Sequence, residues 1–179
     1  MLRIALTLLL LVAPLAHAGE VSEIAVAAQR TWRAGDGGTL IALAHPKLIA
    51  RIAELQQLWL EQKAQGNPSS PWVRFPDRAP TIESFKALSP ADKARSFFAC
   101  MHEILSDHAG FNFTFAAEGE AIICDRATVT VIEHAISPEG KIRDVRYPFI
   151  LERIGNRWGY VSGGSEQMHV DMQLMLLAP

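Results

Sequence analysis

Ile122-Ile123-Cys124-Asp125-Arg126-Ala127-Thr128-Val129-Thr130-Val131-Ile132-Glu133-His134-Ala135 is the stretch whose reading decides the fold. Its centre, Thr128 to Ile132, is built from β-branched residues, which suit a pleated, half-buried surface. Upstream, Phe111, Phe113 and Phe115 alternate with Asn112, Thr114 and Ala116, the two-residue rhythm of a strand. Glu118-Gly119-Glu120 reads as the turn between the two runs. Downstream, Ser137-Pro138-Glu139-Gly140-Lys141 is a polar loop of hairpin length, and Ile142 to Ile154 resumes as a strand. Pro148 inside that strand predicts an edge position or a bulge, because proline cannot donate to a ladder. Gly155-Asn156 is a two-residue hairpin signal, and Arg157 to Val161 closes it with Trp158 and Tyr160 on one face.

Before Gly110 the rhythm is helical. Val21, Ile24, Ala28 and Trp32 recur on one helix face, and Asp36-Gly37-Gly38 breaks the pattern. His45-Pro46 opens a second long helix, with Leu48, Ile52, Leu55 and Trp59 as its apolar stripe and Gln65-Gly66-Asn67-Pro68 as its stop. A proline- and serine-rich stretch to Pro80 holds Trp72, Val73 and Phe75, which predicts order against the body. Thr81 caps a short turn. Ser89-Pro90-Ala91-Asp92 starts a third long helix, with serine as cap, proline at the first position and aspartate beside the positive helix end. Its inward residues are Phe97, Met101, Ile104 and Leu105, and it should run to about His108. The tail 166–177 alternates like a strand yet is rich in helix formers, so both conformations stay open.

Helices followed by an antiparallel meander make an α+β domain. Arg30-Thr31-Trp32-Arg33-Ala34-Gly35-Asp36 running into a helix near His45-Pro46, the strand Ala127 to Val131, and the hairpin Phe149 to Trp158 together resemble the nuclear transport factor 2-like superfamily. The resemblance implies N-terminal helices packed on a curved antiparallel sheet, a cone with an apolar pocket. It would span a single domain over 19–179, with an insertion around 66–80 that could cover the mouth. Members of that superfamily include enzymes, small-molecule binders and dimerisation modules, so fold alone assigns no activity.

Residues 1–18 read as a secretory signal peptide. Arg3 supplies the early positive charge, Ile4 to Val12 the apolar core, and Ala16-His17-Ala18 the cleavage signal. The core is shorter than the ~20 apolar residues of a membrane-spanning helix. The expectation is an exported protein, periplasmic or secreted, beginning at Gly19 and not membrane-bound after cleavage. A formal net charge of −2 with no Lys/Arg run gives no nucleic-acid footprint. Two cysteines in an oxidising compartment favour a Cys100–Cys124 disulfide; their apolar surroundings equally suit two separate buried thiols.

No motif specifies a reaction. His102-Glu103 begins a zinc-protease pattern whose second histidine would fall at Ser106, so no metal site is expected. There is no Gly-x-Ser-x-Gly elbow, phosphate loop or dinucleotide fingerprint, and no cofactor is expected. Glu133 and His134 point to opposite faces of their strand. If Val131 is inward, Glu133 shares its face with Ala127 and Val129 and could be a buried general base; otherwise it is a strand-end residue in water. Catalytic candidates are thus Glu133, Asp125 and His102. Ligand-binding candidates are Trp72, Phe113, Tyr147 and Trp158, the Tyr147 phenol as a donor to a carbonyl.

The resulting expectation is a non-catalytic module that binds a small apolar molecule or a protein partner, a homodimer included. The alternatives are an isomerase, dehydratase or cyclase using one pocket carboxylate or histidine, and an extracytoplasmic partner of the immunity type that neutralises another protein.

Overall fold

A computed structural model describes residues 18–66, 74–105 and 110–164. Residues 1–17, which hold most of the expected signal sequence, together with Trp72, His108 and the 166–177 tail, lie outside the described residues. Those described form helices α1 (Ala18–Ala34), α2 (Gly37–Leu43), α3 (Pro46–Ala64), α4 (Ile82–Lys86) and α5 (Pro90–Leu105), then strands β1 (Asn112–Ile123), β2 (Arg126–Ile136), β3 (Ile142–Ile154) and β4 (Arg157–Gly163). The strands pair in the order β1-β2-β3-β4, all antiparallel. The architecture is α+β, with helices packed on an antiparallel sheet. None of the described helices is long and apolar enough to cross a membrane.

The helix boundaries follow local chemistry. Asp36 caps α2 by accepting the Thr39 N–H at 3.0 Å. His45 caps α3 through Nδ1, which accepts the Lys47 N–H at 3.1 Å, with Pro46 at the first helical position. Thr81 and Ser84 form a reciprocal capping box on α4. Ser89 Oγ accepts the Asp92 N–H at the start of α5. In the 66–80 stretch, Ala79 is buried and Phe75 packs on the core.

Helix α1 lies against β1 and β2 and reaches β4; α3 and α5 pack mainly on each other, with α2 between α1 and α5. The core is one cluster. Val21, Ala25, Ala28 and Trp32 of α1 meet Val129 and Val131 of β2, Phe149 and Leu151 of β3, and Trp158 and Tyr160 of β4. Burying side chains of this size is the principal stabilising term, about 1.5–3 kcal/mol each. The β4 edge is clasped by the α2–α3 junction: the His45 N–H donates to Tyr160 O at 2.8 Å. Gly159 permits that approach, since a Cβ there would stand 3.0 Å from His45 N.

Two sequence expectations change. Strand β1 runs through Glu118-Gly119-Glu120 without turning, and the register slips between Ala117 and Gly119. The glycine therefore serves a bulge. The turn falls instead at Cys124-Asp125, within the run read as one strand, and Cys124 takes the left-handed φ of 54°. The Cys100–Cys124 disulfide is also corrected. Neither cysteine is bridged: Cys100 is buried on α5, which packs mainly on α3 and α2, while Cys124 is exposed at the β1–β2 turn. Pro148 lies one residue beyond the last β3–β4 pair, Phe149↔Gly163. Among the described residues β3 is locally an edge there, one of the two positions that the proline predicted.

Candidate functional site

The inward face of β2 is Ala127, Val129, Val131, Glu133 and Ala135, all buried. Glu133 is 1% exposed, so it does not stand in water. Its register neighbours on the same face are Phe115 of β1 and Val145 of β3. One row toward the strand end stands Phe113–Ala135–Arg143; one row the other way stands Ala117–Val131–Tyr147.

Across this face α1 presents Gln29 and Arg33, one helical turn apart and flanking the buried stripe that ends at Trp32. Arg33 grips Glu133 with both ends of its fork: Nε donates to Oε2 at 2.8 Å and Nη2 to Oε1 at 2.5 Å. Gln29 Nε2 donates to Oε2 at 2.8 Å. Arg33 Nη2 also lies 3.4 Å from the Tyr147 hydroxyl. The Phe113 ring covers the guanidinium, 4.9 Å from ring centroid to Cζ. Phe113 itself stands in a stack with Phe111 and Phe115, at centroid spacings of 6.1 and 6.5 Å.

Burial, the largest single influence, pulls the Arg33 guanidinium toward losing its proton. Its hydrogen bond to Glu133 and the charge of Glu133, with smaller help from Tyr147, outweigh that pull and hold it above its ordinary value. The chemical consequence concerns Glu133. A general base needs an oxygen free to take a proton from substrate. Here both carboxylate oxygens already accept charged or amide donors, so Glu133 anchors and orients Arg33.

The other sequence candidates are scattered. Asp125 sits at the β1–β2 turn with its side chain 82% exposed, 3.3 Å from Arg153. His102 is half-buried on α5 and lies where a Cβ on Gly35 would be: that atom would come within 2.5 Å of the His102 ring. Gly35 has φ +71°, so this position combines a left-handed backbone with a close approach. Trp158 is buried in the core, and the Arg153 guanidinium stacks 4.6 Å over its ring. Of the named candidates, the structure brings together Glu133, Phe113 and Tyr147. The sequence reading missed Gln29 and Arg33. Their signal was a polar pair at helical i, i+4 spacing beside an apolar stripe.

On the opposite face, His134 Nδ1 lies 2.7 Å from Asp144 and Arg146 pairs with Glu118, all exposed. Among the described residues no group of three or more His, Cys, Asp or Glu could hold a metal ion. Two open grooves of about 440 Å³ lie elsewhere, one between α1 and the β1 bulge around Val26 and Ala117, the other beside α5 around Arg74 and Cys100.

Comparison with protein-family models finds no match, and comparison with curated proteins finds none. Among solved structures, the chain is similar to a Xanthomonas campestris protein described as a calcium/calmodulin dependent protein kinase II association domain. The identity is 19%, over 64% of this chain and 83% of that one, with a TM-score of 0.26. A score of that size does not establish a shared fold, so the architecture stands on the register and packing described above.

Proposed function

We propose that this chain is an exported, non-catalytic binding module whose domain spans 19–179, and that its ligand seat is the inward sheet face around Arg33, Phe113 and Tyr147. The observation that carries this reading is the state of Glu133. Its carboxylate is buried and fully engaged by Arg33 and Gln29, which suits a fixed recognition surface better than proton transfer. The half-exposed stack of Phe111, Phe113 and Phe115 offers apolar wall beside a polar anchor, the usual composition of a small-molecule site. Export rests on the signal sequence alone.

A protein partner has its own support in the sheet's other face. Ile123 and Ile142 are 75% and 72% exposed at its ends, and a second copy would be one way to cover them.

Native mass spectrometry of freshly isolated protein tests the ligand reading. The expected result is a co-purifying small mass that is lost on denaturation. Absence of any bound mass, together with no saturable binding of simple apolar probes, neutral or charged, such as octanol and octanoate, would overturn it. Deleting residues 1–18 should retain the protein in the cytoplasm; continued export would refute the address.

A further inference from the structure

Arg33 has three donor nitrogens, and Glu133 occupies only one side of the fork. Nε and Nη2 point at the carboxylate. Nη1 donates to nothing among the described residues. The adjacent Tyr147 hydroxyl receives, at 3.4 Å, only the far end of Nη2, and its own proton meets no acceptor among the described residues. Two donors on neighbouring elements are thus left unspent at one spot among the described residues. Such groups are costly to bury unmade and effective when an acceptor arrives. Arg33 keeps 18% of its side-chain surface, so the spot is reachable.

Charge selects the acceptor. Glu133 neutralises Arg33. One row outward on the same face stands Arg143, exposed and with no ion-pair partner among the described residues. Arg33, Arg143 and Glu133 together leave one positive charge unbalanced. An acceptor carrying one negative charge fits that balance better than a neutral carbonyl or a dianion. The guanidinium is braced from behind by Glu133, itself held by Gln29, and from above by Phe113, so it need not reorganise to receive a planar anion. The phenyl stack running from Phe113 to Phe111 gives the rest of the molecule an apolar wall.

We infer that the seat takes an apolar monocarboxylate, its carboxylate on Arg33 Nη1 and the Tyr147 hydroxyl, its body along Phe113 and Phe111, and Arg143 steering it from the rim. The inference rests on the binding-module reading and adds the chemical class of the ligand.

Isothermal titration of the isolated protein with octanoate, octanamide and octanol tests it. Octanoate should bind saturably and more tightly than either neutral probe. Tyr147→Phe removes one hydroxyl whose only partner among the described residues is Arg33, and it should weaken octanoate about tenfold, a larger loss than for octanol. Arg143→Gln, at an exposed position, should weaken octanoate about threefold, and less at high salt. Equal binding of octanol and octanoate, or octanoate binding unmoved in both variants, overturns the carboxylate assignment and leaves the module reading standing. Saturable binding of none of the three overturns both.

Discussion

Glu133 and His134 are neighbours in sequence and inhabit different solvents. Glu133 points inward, where Arg33 and Gln29 hold it in a buried, bidentate pair. His134 points outward, where Asp144 lies 2.7 Å away and both side chains are about two-fifths exposed. The outward pair works in water, is screened, and contributes little. The inward pair has given up its hydration and depends on its geometry to recover it. Two carboxylate contacts of similar length therefore carry opposite consequences, and strand alternation alone decides which is which. The outer face can change without penalty, while the inner pair fixes the position of α1 on the sheet.

The difference breaks first at Glu133. Glu133→Ala leaves the Arg33 charge buried without its partner and should cost about 3–5 kcal/mol in urea denaturation. A loss too small to measure would mean that the pair is solvated. Gly35→Ala comes next. It forces a left-handed φ on alanine and drives a Cβ into the His102 ring, a loss of about 1–3 kcal/mol. The double variant with His102→Ala should recover the steric part and retain the backbone part; no recovery would show that the ring does not sit there.

A pH effect of smaller size is expected at His45. Burial, with Lys47 beside it, holds this imidazole below its ordinary value, and its capping Nδ1 accepts a hydrogen bond only when unprotonated. As pH falls, the unfolded chain takes up the proton first. The contribution is therefore complete above about pH 6.5 and is lost as pH falls through the folded value. His45→Asn keeps a capping acceptor without a titrating ring. It should flatten the slope of melting temperature between pH 7.5 and 5 relative to the parent, and an unchanged slope would contradict the assignment. Smallest of all, Asp144→Asn on the outer face should leave the urea midpoint where it was. A clear fall there would erase the contrast between the two faces.

Much of the framework was legible from rhythm. The apolar stripe on α1, proline at the start of α3, the Ser89 cap and the Gly155-Asn156 hairpin are local signals, and each falls where local chemistry places it. The β1–β2 turn was hidden because Gly119 looks like a turn residue, while Cys124, which bears the left-handed φ, does not. The disulfide expectation came from counting cysteines, which says nothing about which elements lie side by side. At the candidate site, the sequence left Glu133 either in water at a strand end or inward on the more apolar of two strand faces, and it lies on the inward one. The pairing of Glu133 with Arg33 could not be read, because 100 residues separate the two and no local rule couples a helix arginine to a strand carboxylate.

The account turns on whether Arg33 and Glu133 act as one unit, and a double-mutant cycle with Arg33→Met and Glu133→Leu, followed by urea denaturation, measures this directly. Each single change should be costly and the pair of changes much less so, with a coupling of about 1–3 kcal/mol. Strictly additive losses would contradict it: Glu133 would then not be held by Arg33, and the seat proposed here would have no fixed anchor.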